Sequence, residues 1–207
     1  MTHDTHSTSS TSTKRMPFVP ALEVLAKLRS DEIVVTTMGS AREWPRLSQH
    51  PLDLHYIPSA MGQAPDLGLG LALARPQREV IVLNGDGCML MNLGCLVTIV
   101  ASRAKNLTVI VFENGIYEVT GGQQTAAATV RTAKVDFAAM AAAAGFPSVA
   151  SFDTLAAWQQ QADETLRRPG PRFVVLSVEP VGAAYQLESP GPLAERLARF
   201  QEAISAG

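Results

Sequence analysis

Apolar residues along the chain gather into two alternating patterns. Short β-branched runs at residues 33–37, 80–83, 107–112, 148–152 and 172–178 read as buried strands. Helical spacing separates them. Leu22, Leu25, Ala26 and Leu28, with Val24 alongside, predict a helix through Arg29, and an Ala-rich stretch at 136–144 is bounded by Asp136 as N-cap and Gly145 as stop. Residues 154–167 predict another helix, and 190–206 a last one, with Leu193, Leu197 and Phe200 on one stripe that packs on its own domain or on a partner. The alternation predicts an α/β class: a single doubly wound domain with a mostly parallel sheet and helices on both faces.

Residues 1–15 are mostly Thr, Ser and His and predict a disordered tail, with His3 and His6 as tail residues rather than metal ligands. Order is expected to begin near Pro17, giving one domain over 16–207. Residues 45–53 read as irregular, and His50 within them has no evident partner. Gly68, Gly70, Ala72 and Ala74 form a run of small residues, preceded by Gln63, Pro65 and Asp66, which point to a late helix start. Glycines weaken a helix by about 1 kcal/mol each relative to Ala, so this run implies close packing.

Composition narrows the class. A chain of 207 residues fills one domain of this kind, and its 46% hydrophobic content supports a core. The formal charge of −2 gives no basic excess, which argues against nucleic acid and anionic membrane surfaces as partners. Cys88 and Cys95 are too few for an iron–sulfur cluster and read as small core residues. With no leader-like start and no membrane-length apolar run, the expected location is cytoplasmic.

The candidate chemistry sits at two strand ends. Gly85-Asp86-Gly87 closes one run, and Asn114 closes the next after twenty-six intervening residues. In a parallel sheet both turns reach the carboxyl edge, so Asp86 and Asn114 can meet. Gly85 and Gly87 allow close backbone approach to an anion, and a helix starting near Cys88 would aim unpaired N–H groups at it. One carboxylate and one amide oxygen cannot satisfy a hard cation, but Mg²⁺ commonly shares its six oxygens between protein and phosphate. The pair points to a Mg²⁺-bridged diphosphate.

This motif, on these strands, resembles the fingerprint of the cofactor-binding domain of thiamine diphosphate enzymes. Glu113 stands where a first Asn is usual, while Asn114 keeps the ligand position. The resemblance implies thiamine diphosphate and Mg²⁺ as cofactors, with the metal held by Asp86, Asn114 and the carbonyl of Ile116. It implies diphosphate contacts from Gly39 and Ser40, and cofactor contacts from Gly85, Gly87, Cys88 and Tyr117. Ser59 and Met61 would hold the aminopyrimidine ring, Met61 wedging beneath the cofactor. The glycine-punctuated loop 115–125 suits a cover over that cofactor. Its carboxylate, Glu118, is the candidate for moving protons.

A second α/β unit carrying the activating Glu of this family has no room in 207 residues. The resemblance therefore implies a pyrimidine-domain partner subunit, a hetero-oligomer, and no activity for the chain alone. Thr-Met-Gly-Ser-Ala-Arg-Glu, Ser-Ala-Met-Gly, Gly-Asp-Gly-Cys-Met-Leu-Met-Asn-Leu-Gly and Asn-Gly-Ile-Tyr-Glu are most similar to the small subunit of two-chain sulfopyruvate decarboxylases and to the matching domain of phosphonopyruvate decarboxylases. A small anionic 2-oxo acid is the implied substrate, with Arg42 a candidate cation. Arg42 and Glu43 either line the site mouth or pair with each other. The alternatives are a subunit of another split thiamine enzyme, a 2-oxoacid oxidoreductase or carboligase, or a non-catalytic cofactor-binding module.

Overall fold

Successive residues of a strand face opposite ways, and in this chain both sides are buried. The computed structural model describes residues 15–56, 61–129, 135–181 and 191–206. The chain enters through α1 (Phe18–Leu28), β1 (Ile33–Thr36), α2 (Met38–Leu47) and β2 (Asp53–His55). It continues through α3 (Ala64–Ala74), β3 (Val80–Gly85), α4 (Asp86–Met91), α5 (Cys95–Ser102) and β4 (Leu107–Glu113). A hairpin of β5 (Ile116–Tyr117) and β6 (Gln123–Gln124) follows, then α6 (Ala126–Thr129), α7 (Phe137–Ala144) and β7 (Ser148–Phe152). Last come α8 (Leu155–Arg167), β8 (Arg172–Ser177) and α9 (Leu193–Ser205).

Six strands pair in the order β2-β1-β3-β4-β8-β7, all parallel, with β5 and β6 antiparallel to one side. Val35, Val82, Val109 and Val175 meet Ile99, Phe137 and Phe200 on one face. Val34, Leu83, Ile110 and Leu176 meet Leu22, Trp44 and Trp158 on the other. This two-sided burial explains why the strands read as continuous apolar runs rather than alternating ones.

The strand order reverses beside β1. After β1 the chain moves outward to β2, and after β3 it moves the opposite way to β4. The helix following β1 packs Trp44 on one face, while α5 packs Cys95 and Ile99 on the other. A crevice therefore opens at the carboxyl ends of β1 and β3, the place where sheets of this type bind ligands.

The helices at 136–144 and 154–167 end as expected, with Asp136 accepting from Ala139 N–H, Thr154 accepting from Ala157 N–H, and Gly145 at φ 102°. Met16, the first residue of the expected domain, pairs in parallel with Val178 and is buried. Two expectations are corrected. Residues 45–53 are irregular only in part: α2 runs through Pro45 to Leu47, residues 48–52 form a turn, and β2 begins at Asp53. Proline in a helix interior costs about 3 kcal/mol, and here the burial of Trp44, whose Nε1 donates to Asp53 at 3.0 Å, holds the turn in place. The small-residue helix starts early, since Pro65 and Asp66 occupy its first turn, where both residue types are favourable. Its close packing holds for one glycine. A Cβ on Gly68 would lie 2.2 Å from Val82, whereas Gly70 has nothing within 4 Å.

His50 gains its partners from the same corner. Its Nδ1 accepts from Leu52 N–H at 3.2 Å and faces Arg29 Nη2 at 3.0 Å, while Arg29 is ion-paired to the buried Asp53 at 3.2 Å. Burial, then the Arg29 charge, lowers the His50 pKa, and burial lowers that of His55. The last helix packs on its own domain, with Phe200 in the core and Arg196 donating to the His55 carbonyl. Among the described residues no helix is long and apolar enough to cross a membrane.

Candidate functional site

The crevice is a cleft of about 600 Å³, open to solvent on one side. Its floor comes from the turns after β1 and β3, and its wall from the turn and hairpin after β4. Residues 37–40, 84–88, 114 and 116–120 reach it together although more than eighty positions separate the first from the last. The parallel sheet makes this possible by presenting every strand's carboxyl end on one edge.

Asp86 is the centre of the arrangement. It is 2% exposed, its Oδ1 accepts from Gly87 N–H at 2.9 Å, and its Oδ2 accepts from Gly115 N–H at 2.8 Å. Burial pushes its pKa up to about 6 against the opposing pull of those N–H groups. A buried carboxylate in this state gains from a cation. Among the described residues no three His, Cys, Asp or Glu side chains gather as a metal cluster. A cation here must therefore take amide, carbonyl and ligand oxygens as well.

The Asn114 turn offers such oxygens. Asn114 Oδ1 accepts from Ile116 N–H at 2.9 Å, and Gly115 adopts φ 81°. Thr125 N–H donates to the Gly115 carbonyl at 2.9 Å, so Gly115 and Thr125 form a hydrogen-bonded pair of the hairpin. Ile116 opposite Gln124 is then the next, non-bonded pair, and its N–H and carbonyl both point away from β6, to the side of the Asn114 amide. Asp86, Asn114 and Ile116 all line the cleft, where their oxygens could serve a metal.

The glycines act as clearances. Gly87 lies against Tyr117, with a Cβ there only 2.6 Å from two ring carbons, while Gly85 is open to the cleft. Gly62, at φ 88°, touches the Cys88 carbonyl at 3.0 Å from its Cβ position, which seats the Met61 loop on α4. Asn92 fixes that contact by donating to the Gly62 carbonyl at 3.1 Å and to Asp66. Met61, 48% exposed, stands on the cleft rim beside Met91 instead of in the core. Ser59 lies outside the described residues.

Ser40 reaches the cleft with its hydroxyl already committed. It accepts from Thr37 N–H at 3.1 Å and donates to the carbonyls of Thr37 and Leu83, closing a capping box that ties α2 to β3. Gly39 beside it leaves room for Glu118, whose Oε2 lies 3.1 Å from the Gly39 Cβ position. Glu118 Oε1 accepts from Val181 N–H at 2.6 Å, and Arg42 and the Asn114 side chain also face it. Burial raises the Glu118 pKa in spite of these partners. Glu43 is ion-paired with Arg46 at 3.3 Å, and Arg42 feels the charge of Glu118 first and of Glu43 after it.

The helix expected after Gly87 is interrupted. Six residues of α4 end at Met91, and Asn92 to Gly94 intervene before α5. Both thiols are buried, with burial pushing Cys95 up to about 12 and raising Cys88, which disfavours the thiolate at both. Sequence reasoning missed three cleft residues. Met38, at φ 51°, opens α2 in a left-handed conformation, Asn84 is buried with Oδ1 unpaired, and Met91 lines the cleft as Met61 does. The available signal was Asn84 itself, a polar residue ending an apolar strand.

A parallel sheet with an acidic, glycine-flanked turn at its reversal point defines a protein that cradles an anionic cofactor. The model of the thiamine pyrophosphate enzyme C-terminal TPP-binding domain matches residues 34–176, and the chain belongs to that family. It is 37% identical over 195 residues to a phosphonopyruvate decarboxylase of Streptomyces viridochromogenes, covering 91% of this chain and 47% of that relative. It is 35% identical over 166 residues to the sulfopyruvate decarboxylase subunit beta of Methanothermobacter thermautotrophicus, covering 80% of this chain and 83% of that subunit. The chain thus spans about half the length of the phosphonopyruvate decarboxylases it matches and most of the beta subunit. The benzoylformate decarboxylase of Polynucleobacter necessarius shares the fold, with a TM-score of 0.60 at 19% identity over 86% of this chain and 35% of that one.

Proposed function

We propose that this chain is the cofactor-binding subunit of a two-chain, Mg²⁺-dependent thiamine diphosphate decarboxylase acting on a small anionic 2-oxo acid, sulfopyruvate or phosphonopyruvate. The observation that carries the reading is the 2.8 Å bond from Gly115 N–H to Asp86, which closes the Gly-Asp-Gly turn onto the Asn114 turn. The donor set fits a hard cation: Asp86, Asn114 and the Ile116 carbonyl would hold Mg²⁺, with diphosphate oxygens completing its shell. Gly39, Gly85 and Gly87 let the backbone approach the diphosphate, with Ser40 positioning the first turn and Cys88 and Tyr117 flanking the second. Met61 and Ser59 would hold the aminopyrimidine end.

Thiamine diphosphate, when bound, supplies the electron sink that lets carbon dioxide leave a 2-oxo acid. This chain's residues bind and orient it, and Glu118 can hold a proton at the cleft wall. A pyrimidine-domain partner would contribute the activating Glu across an interface. The beta-subunit relative, of whose length the chain covers 83%, supports that division of labour. The test mixes the chain, Mg²⁺ and thiamine diphosphate with a pyrimidine-domain partner and offers sulfopyruvate, phosphonopyruvate and pyruvate. Decarboxylation of an anionic substrate that needs both chains is expected. Turnover by the chain alone, or preference for pyruvate, overturns the reading.

A further inference from the structure

We infer that Arg15 is a positioning residue of the metal-binding turn, paired with Asp86 through the peptide group between Asn114 and Gly115. The two ends of that one peptide are held by opposite charges. Arg15 Nη1 donates to the Asn114 carbonyl at 2.5 Å, and the N–H of the same peptide, on Gly115, donates to Asp86 Oδ2 at 2.8 Å. A hydrogen bond at one end of an amide polarises it and strengthens the bond at the other. The cation and the carboxylate therefore form an ion pair relayed through the backbone.

Arg15 is anchored for this task. Met16 N–H donates to the Ser177 carbonyl at 3.1 Å, and Glu179 N–H returns to the Met16 carbonyl at 2.9 Å. Met16 is buried at 2% exposure, so the backbone beside Arg15 is fixed at the end of β8 while its side chain crosses to the end of β4. Gly115 admits the guanidinium, since a Cβ there would lie 3.3 Å from Arg15 Nη1. Of the groups that fix this turn, Asp86, Thr125 and the Asn114 side chain lie inside the stretch matched by the family model, and Arg15 lies outside it.

With the peptide plane locked, Asn114 Oδ1 and the Ile116 carbonyl keep their shared side. This inference rests on the proposed metal site, and its test separates the two. Hydrogen exchange of the Gly115 amide in the free full-length chain reads the relay without any ligand. A Mg²⁺ titration with thiamine diphosphate in excess reads its effect on binding. For Arg15→Ala the Gly115 amide should exchange about tenfold faster and the Mg²⁺ half-saturation should rise about tenfold, the scale of a lost charge-assisted hydrogen bond. Amides of β4 should keep their protection, and Arg15→Lys should recover part of both effects. Unchanged Gly115 exchange and Mg²⁺ half-saturation overturn the inference, and so does a loss of protection spread evenly through β4, which marks general loosening. A wild-type chain that takes up no Mg²⁺ and thiamine diphosphate counts against the proposed function, and Gly115 exchange then still decides the relay.

Discussion

The ring of Tyr117 occupies the space that a side chain on Gly87 would need, its carbons 2.6 Å from the Cβ position. The contact locks the turn after β3 to the hairpin after β4, across the cleft where the oxygen donors gather. Replacing Gly87 by Ala forces the ring away and should destabilise the chain by about 1–3 kcal/mol, the usual range for overpacking. Thermal melting checks this, and the further change Tyr117→Ala should restore part of the melting temperature. Equal melting of Gly87→Ala and wild type would show that the hairpin yields freely.

Asp86→Ala removes a charged oxygen donor and the acceptor for two backbone N–H groups. Mg²⁺-dependent binding of thiamine diphosphate, followed by calorimetry, should weaken by more than about 100-fold, beyond the loss typical of outer-sphere partners. Retained affinity would move the metal elsewhere.

Two glycines of one helix should respond oppositely. Gly68 faces Val82 at 2.2 Å, so Gly68→Ala should destabilise the fold by about 1–3 kcal/mol. Gly70 has nothing within 4 Å, and Gly70→Ala should stabilise by about 1 kcal/mol through helix propensity alone. Chemical denaturation of both variants decides the matter.

Met61 is half exposed on the cleft rim, so Met61→Ala should leave the melting of the free chain within about 0.5 kcal/mol of wild type. Turnover of the assembled enzyme should drop about tenfold or more if the side chain orients the cofactor. A kinetic comparison at saturating cofactor reads the difference.

His50 resists protonation in the folded chain because it is partly buried and faces Arg29. The unfolded chain takes up that proton near the ordinary value of 6.5, so between the lowered folded pKa and 6.5 it binds more protons than the folded one. The His50 contribution is therefore fully present above 6.5 and declines as pH falls below it, in the same sense as that of His55 and opposite to that of Asp86. His50→Asn, which keeps an acceptor at the Nδ1 position, should flatten this slope in denaturation curves measured from pH 7.5 to 5. An unchanged slope would assign it to other groups.

The strands, the parallel sheet and the convergence of Asp86 with Asn114 were legible in the chain because each follows from local information. A buried strand needs an unbroken apolar run, and parallel pairing then delivers every following turn to one edge. The departures have one physical cause: each depends on a partner that local periodicity does not carry. Pro45 is helical because Trp44 is held by Asp53, and Ser40 is occupied because Leu83 lies beneath it. Glu118 meets Val181 and Arg42, sixty-three and seventy-six positions away. By itself the sequence determined where a cofactor cradle must form. Tertiary structure decided which side chains are free to serve it and that Arg15, ninety-nine residues before Asn114, helps to hold its shape, since hydrogen bonds and close contacts are settled only once distant segments share the same few ångströms.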